Sequence, residues 1–266
     1  MLENDNWGTR ARIGMFIVGN EVVPEAEWWA MAPLGVSVHT ARVTERAPWA
    51  SWNKHREGVE LKADLMRGAA QFAAMRLSAA VIGHSSSSFI GGKGWDEAVV
   101  EMLSGILDAD TAVTTNGLDT LAALRASGVR RPFLVLPPWF NDKTIDAGLR
   151  YYAEHGLKPA EHLSYDPGPK WRDVAPGDLT RQGLGFAQEV EPLHAQIKAN
   201  CPATADGVLI AGTGFRCVAI LNALERDLKR PVLSANQTSL WHGLRLAGVA
   251  ARVSGEISGY GNLFKL

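Results

Sequence analysis

"TNGLDTLAALRASGV", residues 115–129, and "ANQTSLWHGLRLAGV", residues 235–249, are one pattern written twice. Asn116 falls on Asn236, Leu124 on Leu244, Arg125 on Arg245, Gly128 on Gly248 and Val129 on Val249. Two weaker echoes keep chain order at nearly the same offset: "AAVIGHSS" (79–86) over "GVLIAGTG" (207–214), and "RIGMFIVGN" (12–20) over "RPFLVLPPW" (131–139). A long-period repeat takes precedence over local signals because it sets the whole architecture. It predicts two similar half-chains.

What each half contains follows from periodicity. Short apolar runs stand at 13–18, 36–43, 79–83, 112–115, 133–136, 207–211 and 232–234. Amphipathic stretches of helical length lie between them, at 25–31, 57–76, 96–107, 117–126, 142–155, 179–199, 216–227 and 238–247. Continuously apolar strands alternating with helices predict an α/β protein whose parallel sheets are covered on both faces. Asn116 and Asn236 open helices and read as N-caps; Asn236 reads equally as a binding residue.

The bulk numbers narrow the function. The chain has 266 residues, 46% hydrophobic and 21% charged, an ordinary globular composition. A net charge of −1 argues against a nucleic-acid partner or an anionic membrane surface. No apolar run is long enough to span a bilayer, and the polar, acidic N-terminus is not a signal peptide. Cys201 and Cys217 form no CxxC pattern, so a reduced, cytoplasmic protein is expected. The seven histidines show no metal-ligand spacing. "GTGFRC" is neither a dinucleotide nor a P-loop signature. No metal and no cofactor are expected.

In parallel sheets, ligands bind beyond the carboxyl ends of the strands. Here those ends read Gly19-Asn20, His84-Ser85-Ser86, Asn116, Pro138-Trp139, Gly212-Thr213-Gly214 and Asn236-Gln237. If the halves face each other, residues 84 and 212 stand on opposite sides of one ligand. Serine hydroxyls and the amides of small residues in such loops suit a carboxylate. His84 is the side chain at these two positions whose ordinary pKa lies near neutrality. "VIGHSSS" also has a hydrolase reading, with Ser85 as nucleophile and Asp206 and His242 following in order. Against it, the elbow needs a helix directly after the serine, and the run 86–94 is expected to delay any helix to about Trp95. Trp28, Trp29, Trp49 and Trp52, with Arg46 and His55, form an aromatic-rich stretch read as core, subunit packing or a lid. The Pro/Gly-rich segment 165–176 reads as a surface loop or cleft rim.

These residues also carry a resemblance. "RIGMFIVGN", "GVSVHTARV", "AAVIGHSSSSF", "ALRASGVRRPFLVLPPWFND", "DGVLIAGTGFR", "VLSANQTSLWHGLRLAG" and the terminal "GYGNLF" are similar to the aspartate/glutamate racemase superfamily, in the branch of arylmalonate decarboxylase and maleate cis-trans isomerase. The resemblance spans nearly the whole chain. It implies two Rossmann-like αβα halves, 1–118 with 240–266 and 119–239, and a cofactor-free site in the cleft between them. In that family each half ordinarily supplies a cysteine at a strand end. The first position falls on His84, or on Gly83 if the gap moves by one; the second falls on Gly212. Arylmalonate decarboxylase also lacks the first cysteine and keeps the second. The carboxylate-binding hydroxyls map to Ser85 and Ser86, the small polar residues of the second tip to Thr213 and Gly214, and the family asparagine to Asn20. A tyrosine common in the family maps to Trp139.

Two-base racemisation and isomerisation through a thiol adduct both need sulfur at these points. Their absence directs the expectation elsewhere. The expected activity is cofactor-independent lyase chemistry on a small carboxylic acid, decarboxylation through a carbanion or enolate. Its catalytic residues would be His84 and Ser85, with Asn20, Ser86, Trp139, Gly212, Thr213, Gly214 and Asn236 binding. Two alternatives stand beside it: a hydrolase or hydratase with His84 as base, and a non-catalytic small-acid binder. A homo-oligomer is compatible with the tryptophan content.

Overall fold

The structure is a computed structural model and describes residues 5–253 and 255–266. Its strands in chain order are β1 Ala11–Val18, β2 Val36–Val43, β3 Ala50–Trp52, β4 Val59–Leu61, β5 Ala79–Ile82, β6 Ala112–Thr115, β7 Pro132–Leu136, β8 Glu161–Ser164, β9 Gly207–Ile210 and β10 Val232–Ser234. The helices are α1 Val23–Met31, α2 Ala63–Ala73, α3 Ser85–Gly91, α4 Trp95–Ser104, α5 Asn116–Ala126, α6 Asp142–Glu154, α7 Leu184–Ala187, α8 Val190–Asn200, α9 Leu221–Leu228, α10 Ala235–Leu246 and α11 Ala250–Val253.

Two four-stranded parallel sheets result, ordered β2-β1-β5-β6 and β8-β7-β9-β10. In both, the first strand of the half lies between its second and third. The two halves therefore share one topology, as the repeat predicts. β5 and β9 are buried at every position, which central strands covered on both faces require. Strand order reverses between β1 and β5 and between β7 and β9. Those are the switch points at which such sheets open a crevice for ligands.

The echoed helices join the halves. α10 follows β10 of the second sheet but lies over β1, β5 and β6 of the first. A Cβ at its Gly243 would meet Ile13 and Val81 at 3.6 Å, so helix and sheet are in close contact there. α5 packs along α10 and touches β10. Their caps are Thr115, whose Oγ1 accepts from the Leu118 amide at 3.3 Å, and Ser234, which forms a reciprocal capping box with Gln237. Asn116 and Asn236 are thus not caps. Each sits just inside its helix, buried, with its amide turned to the other elements.

Other expectations are corrected. The helix expected over 57–76 begins at Ala63, because Val59–Leu61 pairs antiparallel with Ala50–Trp52. The stretch 179–199 breaks at Gly183, whose φ of +91° ends helical geometry, and resumes as α7 and α8. The stretch 216–227 starts as a 3-10 turn at Val218–Ile220 before α9. β8 pairs with β7 at a sheet edge and was not expected. Most consequential, no loop delays the helix after β5. The four serines form the first turn of α3. Poor intrinsic propensity is overridden by tertiary partners for three of their hydroxyls, described below. Among the described residues no helix is long and apolar enough to cross a membrane.

Candidate active site

The tips of the two sheets touch. Thr213 Oγ1, just beyond β9, lies 3.0 Å from the carbonyl oxygen of Gly83, just beyond β5. Beside this contact is a cavity of about 220 Å³. Every strand beside a switch point contributes to its wall: Val18 at the end of β1 with Asn20 and Glu21 beyond it, His84, Ser85 and Ser86 after β5, Trp139 and Phe140 after β7, Gly212 and Thr213 after β9. Pro176, Gly177 and Thr180 close one side. The rim expected from the segment 165–176 is thus present only at its last residue.

His84 is half-buried and held from two directions. Its ring stacks on the buried Trp49, centroids 4.2 Å apart and planes at 26°. Its Nδ1 lies 2.8 Å from Ser87 Oγ, and that oxygen already accepts from the Trp49 amide at 3.0 Å. No other acceptor pairs with the Ser87 hydroxyl among the described residues. Its proton therefore goes to Nδ1, which places the ring hydrogen on Nε2. Nε2 has no protein partner among the described residues, and His84 is part of the cavity wall. Burial, then the Lys62 charge, lowers the His84 pKa to about 3. Desolvation penalises the imidazolium and moves this histidine away from the expected titration near neutrality. His84 presents a neutral ring that donates through Nε2.

The serines divide their work. Ser85 Oγ donates to Asn116 Oδ1 at 2.6 Å, and Asn116 Nδ2 donates onward to the Ala235 carbonyl and to Ser239 Oγ, each at 2.9 Å. Ser88 Oγ donates to the buried Asp96 at 2.6 Å. Ser86 is half-buried on the cavity wall, and its hydroxyl has no partner among the described residues. Of the four, Ser86 is the one with its proton uncommitted.

The second tip mirrors the first. Asn236 Nδ2 donates to the Thr213 carbonyl at 2.8 Å and to Glu27 Oε2 at 2.7 Å, as Asn116 holds Ser85 in the other half. Asn236 thus positions the tip and does not line the cavity. Gly214 lies outside the wall too; a Cβ there would stand 2.6 Å from Glu21 Oε1. Gly212 has φ +94°, and a Cβ would meet Pro137 at 2.8 Å, so this tip is bare by construction.

Glu21 is the titratable wall residue the sequence reading passed over, although it directly follows Asn20. It is only 6% exposed. Burial raises its pKa to about 7 against the hydrogen bond from Thr213 and the charge of Arg42. Glu27 is also raised to about 7 by burial, but Oε1 accepts from the Cys217 and Val218 amides at 2.6 and 2.9 Å. That carboxyl ties α1 to the second half.

The hydrolase triad is not assembled. Ser85 is bonded to Asn116, His242 Nδ1 to Asp119 at 2.6 Å, and Asp206 to the amides of Arg130 and Arg131. Ser85 does begin a helix, so the helix argument against an elbow fails, but it lacks the left-handed backbone of the positive-φ residues. Neither cysteine lines the cavity. Cys217 is buried with its thiol pushed up by burial and by Glu27, and Cys201 ends α8. The tryptophans are mostly packing. Trp28 and Trp49 are fully buried, Trp52 Nε1 donates to the Gly91 carbonyl at 2.9 Å, and Trp29 is exposed on α1.

Comparison with known proteins gives one family and one fold. The sequence model of arylmalonate decarboxylase matches residues 55–264. No curated protein sequence matches. Among solved structures, unliganded arylmalonate decarboxylase is 20% identical with a TM-score of 0.68, over 96% of this chain and 99% of that one. The maleate isomerase Iso from Pseudomonas putida is 17% identical with a TM-score of 0.76, over 96% and 98%. The Nocardia farcinica maleate cis-trans isomerase bound to TRIS is 17% identical with a TM-score of 0.74, over 96% and 97%. With its repeat, its paired parallel sheets and this match over most of its length, the chain belongs to the arylmalonate decarboxylase family, a branch of the aspartate/glutamate racemase superfamily.

Proposed function

We propose that the chain is an enzyme acting on a small carboxylic acid in the cavity between the strand tips, and that it releases carbon dioxide without a cofactor through a carbanion or enolate. One observation carries this reading. The cavity wall brings together polar His84, Ser86 and Asn20 with apolar Val18, Trp139 and Phe140. A malonate-type acid has one carboxylate to keep and one to lose. Hydrogen-bond donors on the retained carboxylate stabilise charge as it moves there from the breaking bond. Apolar walls strip water from the leaving carboxylate and favour the neutral product.

Thiol-dependent racemisation and isomerisation fit this cavity poorly, since no cysteine lines it. A hydrolytic reaction with His84 as base fits poorly as well, because a pKa of about 3 makes the ring a feeble base. Incubation with phenylmalonate, alkylmalonates and maleate tests the proposal, with carbon dioxide and the product acids measured. Decarboxylation of a malonate with maleate left unchanged is expected. Thermal stabilisation by these acids without turnover would identify a binder and overturn the enzymatic reading.

A further inference from the structure

The carbanion left by decarboxylation needs one proton. Two titratable side chains stand on the cavity wall, His84 and Glu21. The His84 ring is neutral near neutral pH, and giving up its Nε2 hydrogen would leave an imidazole anion. That excludes it as the source. We infer that Glu21 is the acid–base residue of the site, the carboxyl that hands the proton to the substrate carbon. The inference rests on the decarboxylase reading above.

The geometry places this carboxyl where the second half offers nothing of its own. Glu21 follows β1 in the first half, yet its head lies on the tip of the second. Oε2 is 3.3 Å from Thr213 Oγ1, and Oε1 fills the space a Gly214 side chain would take. Residues 212–214 include two glycines and bring no titratable group. A carboxyl borrowed across the interface stands beside them, while His84 and Ser86 come from the β5 tip.

Its surroundings favour the protonated form. The single Thr213 hydroxyl proton is shared between Glu21 and the Gly83 carbonyl, so an ionised Glu21 has one weak donor. The charged groups near it are few. Arg42 from β2 donates to the Glu21 carbonyl oxygen at 2.9 Å and pairs with Glu25 of α1. Glu27 of α1 is turned to the Cys217 and Val218 amides and to Asn236. His84, from the β5 tip, is uncharged. Burial outweighs Arg42. An anionic substrate in the same cavity raises the carboxyl further.

The step balances as written. The bond from the α-carbon to the departing carboxylate breaks, and its electron pair stays on the α-carbon, delocalised into the retained carboxylate. Carbon dioxide leaves. The α-carbon takes the Glu21 proton, and the resulting Glu21 carboxylate recovers one from water.

The test is turnover and binding of phenylmalonate by wild type, Glu21→Gln and Glu21→Asp, with kcat and kcat/KM followed from about pH 5 to about pH 9. Glu21→Gln is expected to lose about 10²–10⁴-fold in kcat while binding phenylmalonate at least as tightly, since a potential anion is removed. Wild-type kcat/KM should fall as pH rises through about 7. That alkaline fall should be absent from the residual activity of Glu21→Gln and restored, at lower rate, in Glu21→Asp. A Glu21→Gln enzyme within about threefold of wild type, with the alkaline fall intact, overturns this inference alone. A wild type that binds phenylmalonate and does not decarboxylate it overturns the decarboxylase reading and this inference together.

Discussion

Gly212→Ala probes the bare tip of the second half. Gly212 holds φ +94°, and the added Cβ would stand 2.8 Å from Pro137 Cγ and 3.3 Å from its Cδ. Two costs add. Holding an L-residue in that backbone region costs about 1–3 kcal/mol. Forcing a methyl against a proline ring that the β7 strand end holds in place costs about 1–3 kcal/mol more. Lower entropy of the unfolded chain returns about 0.4–1 kcal/mol, leaving a net loss of about 1–6 kcal/mol, about 3 kcal/mol at the midpoints. At the usual ~2–4 °C per kcal/mol for a chain somewhat smaller than this, the midpoint loss should lower the melting temperature by roughly 10 °C. Gly128→Ala is the internal control: its φ is +71°, but a Cβ there meets nothing within 4 Å, so only the backbone cost applies. The assay is thermal and urea unfolding of wild type and both variants, followed by tryptophan fluorescence. The reasoning fails if Gly212→Ala unfolds with wild-type stability, or no more easily than Gly128→Ala.

Three other outcomes are expected. Ser87→Ala leaves His84 Nδ1 and the buried Trp49 amide without their shared partner; it should cost about 1–3 kcal/mol and abolish the single Nε2–H tautomer that ¹⁵N NMR should find in wild type. Asn116→Ala removes the amide linking Ser85 to Ala235 and Ser239; a loss of about 1–3 kcal/mol is expected in urea unfolding. Folded Glu21 keeps its proton up to about pH 7, whereas an unfolded glutamate releases it near its ordinary value. The folded state then holds the extra proton, so this residue's contribution to stability falls as pH rises across that window. In Glu21→Gln the pH slope of unfolding free energy should change by about 1.4 kcal/mol per pH unit there, and coincident slopes would contradict the assignment.

The sequence exposes the parts of the molecule that are periodic. β5 and β9 are apolar throughout because both faces are covered, and the Asn…Leu-Arg…Gly-Val match marks helices that must pack on each other. Segments whose structure depends on distant partners stay hidden. The serine run of α3 has poor helix propensity, and its order comes from Asp96 and from Asn116 and Trp49, the last two remote in sequence. The hairpin of β3 and β4 has strands of three residues, too short for alternation to register. At the site, motif position selects His84, Ser86, Trp139 and Thr213, but protonation is not a property of position. Burial lowers the His84 pKa, which its place in the motif does not show. Glu21 belongs to no motif in the sequence; its burial comes with Thr213 and Gly214 of the second half, which lie against its carboxyl.

The central claim is that the two strand tips grip a small organic acid between imidazole and serine on one side and Glu21 on the other. A crystal structure with bound phenylmalonate measures this directly. The retained carboxylate is expected within hydrogen-bond distance of His84 Nε2 and Ser86 Oγ, with the α-carbon facing the Glu21 carboxyl. Phenylmalonate bound away from this cavity, or bound within it with its carboxylates turned from both His84 and Ser86, would contradict the account.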